Sequence, residues 1–150
     1  MDLILWRHAE AEDGFPDASR KLTEKGIKQA QKMAQWLNPR LPENTRIVVS
    51  PAKRTQQTAA ALTTNFETVS EVGVGTTPNA LLSAINWPYE DGAVLVVGHQ
   101  PTLGQIASLL LSGNDNGISV KKGSIWWFNC KQKKALANIY LHAMLTPERL

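Results

Sequence analysis

Hydrophobic and polar positions along the chain follow two alternating habits. Short continuous apolar runs at Leu3-Ile4-Leu5-Trp6, Ile47-Val48-Val49 and Ala93-Val94-Leu95-Val96-Val97 predict strands buried on both faces of a parallel sheet. Between them, apolar residues recur at spacings of three and four, the helical period. Thr23 is placed to cap a helix carrying Ile27, Ala30, Met33, Ala34 and Leu37, which Asn38-Pro39 stops. Ser50 stands where an N-cap should be and Pro51 at the first helical position, ahead of a helix through Thr55, Ala59 and Leu62. Thr77 and Pro78 open a short helix through Leu81, Leu82 and Ile85 that ends at Trp87-Pro88, and a longer one after Gly98-His99-Gln100-Pro101 carries Leu103, Ile106, Ala107, Leu110 and Leu111. A further strand is expected between Phe66 and Val72. Past Gly113 the pattern changes to closing strands at Ile118 to Val120, Ser124 to Asn129 and Ala135 to Met144, two of them a hairpin joined by the Lys131 to Lys134 turn.

Strands alternating with helices predict a three-layer α/β/α sandwich, mostly parallel, with the hairpin supplying an antiparallel edge. There is no repeat, linker or low-complexity tract, so residues 1–150 are expected to form one domain. At 150 residues and 43% apolar, such a domain buries roughly 68–70% of its unfolded surface and needs no staple. The one cysteine, Cys130, cannot pair internally and reads as a buried strand residue; His142 reads as a strand residue of the terminal sheet. An acid at position 2 and a first apolar run too short for a signal or membrane segment point to a cytoplasmic protein without a membrane partner. The net charge of +3, on scattered basic residues, gives no case for nucleic acid and only a mild preference for anions. A monomer is expected.

Ligands of open α/β sheets bind beyond the carboxyl ends of the strands. There the chain places Arg7-His8 after the first strand, Ser50-Pro51-Ala52-Lys53-Arg54 after the second, and His99 after the strongest one. If those strands are neighbours, two imidazoles and two guanidiniums converge, a set shaped for a tetrahedral dianion. A guanidinium offers paired donors to phosphoryl oxygens and stays charged at any working pH. Arg54 also falls in a first helical turn, where free N–H groups favour an anion. A neutral imidazole whose other nitrogen donates to a fixed acceptor is a nucleophile, and a phosphohistidine intermediate divides one hard hydrolysis into two easier steps. Zinc ligation by His8 and His99 is disfavoured, since metal sites recruit three or more ligands and arginines repel the ion. No cofactor or metal is expected.

These motifs, Leu5-Trp6-Arg7-His8-Ala9-Glu10, Leu22-Thr23-Glu24-Lys25-Gly26 with Gln29-Ala30, Ser50 through Thr58, and Val96-Val97-Gly98-His99-Gln100-Pro101, resemble in content and order the histidine phosphatase superfamily. The short length and Ser19-Arg20-Lys21-Leu22-Thr23 look like its SixA-type phosphohistidine phosphatases. The resemblance implies a phosphoglycerate mutase-like fold, His8 as nucleophile, Arg7 and Arg54 as phosphate clamps and His99 as a second imidazole on the phosphoryl oxygens. It also implies Arg20 as a further phosphate ligand, on a loop that Lys21, in place of the usual proline, is expected to loosen. Many ester-cleaving members carry a proton-donating carboxylate between the counterparts of Arg54 and His99. Here that stretch, Thr76 to Leu82, has no acid. An alkoxide leaving group needs protonation more than a departing imidazole does, which favours P–N cleavage, on a protein phosphohistidine or a small phosphoramidate, over ester or anhydride hydrolysis. A non-catalytic phosphate-binding module is the reading from another class.

Overall fold

The structure, a computed structural model, describes residues 1–131 and 138–150. Six strands form one sheet: β1 (Asp2–Arg7), β2 (Arg46–Val49), β3 (Glu67–Thr68), β4 (Ala93–Gly98), β5 (Ile125–Cys130) and β6 (Ile139–Leu145), in the spatial order β3-β2-β4-β1-β5-β6. The first four are mutually parallel, β5 runs antiparallel to β1, and β6 antiparallel to β5. The strands with the continuous apolar runs are therefore the central ones, where both faces need cover.

Period-two geometry divides each central strand between two cores. Leu3, Leu5, Val94 and Val96 face one, with Leu81 of α3 (Pro78–Ala84) and Leu103 and Ile106 of α4 (Thr102–Ser112). Ile4, Trp6, Leu95 and Val97 face the other, with Ala30, Met33 and Leu37 of α1 (Glu24–Leu37) and Ala59 of α2 (Lys53–Ala60). The expected three layers result. Thr23 caps α1 by accepting from Gly26 N–H, and Thr77 caps α3 by accepting from Ala80 N–H. Gly26 has a second reason to be glycine: a Cβ there would run into the carbonyl of Glu10, so its absence lets α1 lie against the chain leaving β1.

Three expectations need correction. Ile118 to Val120 is not a strand; the segment packs on α4 through Ile118 N–H to Gly104 O, 3.1 Å. The strand expected between Phe66 and Val72 is only two residues long, because the chain turns into a 3-10 helix at Ser70–Val72. The helix-capping residue ahead of α2 is Ala52 rather than Ser50, whose hydroxyl is engaged elsewhere. The terminal strand starts at Ile139; its expected beginning at Ala135, with most of the Lys131 to Lys134 turn, lies outside the described residues. Cys130 is buried in β5, and His142 lies in β6 against Trp127, ring centroids 5.0 Å apart. Among the described residues no helix is long and apolar enough to cross a membrane.

Candidate active site

The crossover after β1, through α1, lies on one face of the sheet and the crossover after β4, through α4, lies on the other, so the loops part between the adjacent strands β1 and β4. At such a switch point the loops diverge and leave a crevice. His8 follows β1 and His99 follows β4, directly at that point. Backbone bonds continue the sheet one step further: His8 N–H donates to Gly98 O and Ser50 N–H to Val97 O, both 3.1 Å. The three strand ends thus deliver Arg7-His8, His99 and Ser50 to Arg54 side by side.

The two imidazoles lie 5.4 Å apart, centroid to centroid, tilted by 55°. Both are buried, as is Arg54. Arg54 Nη2 lies 3.5 Å from His99 Nδ1. Arg7 is anchored by donating from Nη1 to Val120 O, 2.8 Å. Among the described residues the buried Nε atoms of Arg7 and Arg54 find no hydrogen-bond partner. An unpaired buried donor is costly, and guanidinium donors unpaired beside two imidazoles call for an anion. The electrostatics agree: burial, then repulsion by Arg54, lowers the pKa of Arg7. Burial first, then the neighbouring cations, push His99 down to about 4 and His8 down to about 3, the latter against the opposing pull of the Ala9 carbonyl. Both rings are neutral at neutral pH.

His8 has one orientation open to it. Its Nδ1 lies 2.7 Å from Ala9 O, and since a carbonyl can only accept, Nδ1 carries the proton and Nε2 keeps its lone pair. The carbonyl is held because Ala9 N–H donates to Thr58 Oγ1, 3.0 Å, which donates onward to Arg54 O, 2.7 Å. From the opposite side Gly123, at φ +75°, donates its N–H to the carbonyls of both Arg7 and His8. A positive φ suits glycine, and a Cβ there would meet Pro147 Cγ at 2.8 Å.

Sequence reasoning missed Ser50 as a site residue. Its Oγ and His99 Nε2 share a 2.7 Å hydrogen bond, and it also accepts weakly from Ala52 N–H, 3.3 Å. Position 50 looks like a helix cap because Ser-Pro is the pattern of one, and only the adjacency of β2 and β4 reveals the other use. Ser50 holds the ring so that Nδ1 faces Arg54. Ser50→Ala is expected to lower kcat by roughly 5- to 30-fold, the worth of one such hydrogen bond, with KM little changed; steady-state kinetics beside a thermal melt will check it.

Arg20 lies one carboxylate away from the cluster. Its Nε donates to Glu12 O, 2.7 Å, and its Nη1 to Asp17 Oδ1, 3.1 Å. Asp17 in turn takes both ends of Arg54, Nη1 on its carbonyl at 3.0 Å and Nη2 on Oδ2 at 3.1 Å. Around Lys21 the loop is tied at several points: Glu12 N–H donates to Lys21 O, 2.8 Å, Ala11 bridges Leu22, and Leu22 N–H donates to Gln57 Oε1, 2.7 Å.

The model of the histidine phosphatase superfamily (branch 1) matches residues 3–75. The chain is 33% identical over 141 residues to the phosphohistidine phosphatase SixA homolog of Haemophilus influenzae, covering 83% of this chain and 85% of that one. To phosphohistidine phosphatase SixA of Escherichia coli it is 31% identical over 125 residues, 75% and 76% of the two chains. The fold superposes on the protein histidine phosphatase SixA complexed with tungstate with a TM-score of 0.84 at 22% identity, over 99% of each chain. With a site of two arginines and two histidines at the parting of β1 and β4, and relatives of this closeness along most of its length, the chain belongs to the histidine phosphatase superfamily and is a SixA-like phosphatase.

Proposed function

We propose that the protein hydrolyses the P–N bond of phosphohistidine carried on another protein, through a phosphoryl group held transiently on His8. The observation that carries this reading is the bond from His8 Nδ1–H to Ala9 O, which leaves a lone pair on a neutral Nε2 beside two guanidiniums. Nε2 attacks phosphorus as the bond to the substrate imidazole breaks and its electron pair returns to that ring. Arg7, Arg54 and His99 hold the three equatorial oxygens, where charge is spread in the transition state. A dianion in the hollow also favours protonated His99, with Nε2–H on Ser50 and Nδ1–H toward the anion. Water then attacks the phosphoryl group on His8, both its hydrogens leaving with dihydrogen phosphate, and Nε2 regains its lone pair.

Three observations support phosphohistidine over an ester. Thr76 to Leu82 carries no acid to protonate an alkoxide. Between Arg54 and His99 the chain makes only the rest of α2, the short β3, one 3-10 turn, α3 and the central strand β4, which leaves no element to roof the pocket against a protein substrate. The relatives from Haemophilus influenzae and Escherichia coli bear the name phosphohistidine phosphatase. The test compares kcat/KM for a phosphohistidine-bearing protein and for phosphoramidate with that for a sugar phosphate. Turnover several-fold higher on the P–N substrates is expected; equal or better ester turnover overturns the reading in favour of a small-molecule phosphomonoesterase.

A further inference from the structure

An exposed carboxylate stands on buried Arg54, outside the steps described above. Asp17 sits on the 3-10 turn Asp17–Ser19, with Oδ1 on Arg20 and Oδ2 on Arg54. Its side chain is 53% exposed, whereas that of Arg54 is 5% exposed. One edge of the carboxylate is therefore taken up by the clamp while the rest stays open to solvent beside it. Both of its oxygens keep a lone pair beyond the guanidinium bonds. We infer, building on the function proposed above, that Asp17 makes the site selective for an imidazole leaving group by accepting a hydrogen bond from the free ring N–H of the substrate phosphohistidine.

The chemistry follows from what a carboxylate in this setting can and cannot do. Bonding to Arg20 first, then Arg54, lowers its pKa, so it stays ionised and has no proton to give an alkoxide. It can accept. A phosphohistidine phosphorylated on Nε2 and protonated on Nδ1 is an imidazolium, whose Nδ1–H matches that acceptor. Holding the ring in this form draws electrons from the P–N bond. When the bond breaks, its electron pair goes to Nε2, the phosphoryl group goes to Nε2 of His8, and the substrate leaves as neutral imidazole with its Nδ1–H unchanged. No proton crosses the interface, and the acceptor ring on His8 becomes the mirror of the donor ring. A phosphate ester brings no N–H for Asp17 and places its developing negative charge near a fixed carboxylate, so the same residue favours one substrate and disfavours the other.

The test must separate this role from simple positioning of Arg54. Asp17→Asn keeps a side-chain carbonyl for Arg54 Nη2 but removes the charge, and lies on an exposed turn outside both cores. Its activity is compared with wild type on free Nε2-phosphohistidine and on p-nitrophenyl phosphate, whose leaving group needs no proton and bears no N–H. The ratio of kcat/KM on phosphohistidine to that on p-nitrophenyl phosphate is expected to fall roughly 10- to 100-fold, as for loss of a charge-assisted hydrogen bond made to one substrate only. An equal fall on both substrates shows that Asp17 only positions Arg54 and overturns the inference, and no change on either overturns it as well. Wild type that cleaves p-nitrophenyl phosphate but neither free nor protein-borne phosphohistidine overturns the proposed function itself, a result visible before any variant is made.

Discussion

With His8 replaced by alanine, the protein takes up no phosphoryl group from phosphoramidate and its turnover falls by a factor on the order of 10⁴ or more. The loss is this large because the remaining groups bind phosphate but cannot accept it. His99 is no substitute nucleophile: its Nε2 is committed to Ser50 and its Nδ1 faces Arg54. Rapid quench with labelled phosphoramidate gives, for wild type, a covalent adduct that is stable in alkali and lost in acid, as expected of phosphorus on imidazole nitrogen. The variant gives none. Among the described residues His8 makes no side-chain hydrogen bond apart from the one to the adjacent Ala9 carbonyl, so the alanine variant is expected to fold, and inorganic phosphate should still bind it. A labelled adduct surviving in His8→Ala, or none forming in wild type, ends the covalent reading.

Arg54→Ala is expected to lower kcat by roughly 10²- to 10³-fold, the scale seen when one preorganised donor to developing charge is removed. Two effects combine. The substitution removes donors to the equatorial oxygens, and it releases the carbonyl and carboxylate of Asp17 that Arg54 now holds. Arg54→Lys is expected to recover little, since an ammonium keeps the charge but not the planar fork that meets Asp17 and a phosphoryl oxygen together. Circular dichroism should show both variants folded, because the two cores are built from other residues. Near-normal kcat in Arg54→Ala would remove the clamp from the mechanism.

The central layout was legible in the residues themselves. Continuous apolar runs identify β1, β2 and β4 because strands covered on both faces have no polar face to show, and Thr23 and Thr77 mark helix starts because their hydroxyls satisfy free N–H groups. Weaker patterns misled: Ile118 to Val120 has strand-like residues but leads from α4 into the turn that anchors Arg7. Ser50 was misread for a related reason, since local grammar describes its neighbours in sequence and its hydroxyl serves a neighbour in space. Asp17 lay in a polar loop with nothing around it to distinguish it from surface charge.

What the amino-acid sequence determined by itself is the inventory of elements and the kind of chemistry standing at their ends, because both depend on residue type and short-range spacing. Strand order is different. Whether His8 and His99 share a hollow depends on β4 inserting between β1 and β2, a long-range pairing chosen by the burial of two whole faces and recorded in no local pattern. The same holds for the contacts that orient the groups, Thr58 on Ala9 N–H, Ser50 on His99 and Asp17 on Arg54. Each joins segments brought together by the sheet or by the loop folded against it, so only the tertiary structure turns reactive residue types into a directed lone pair and a clamp.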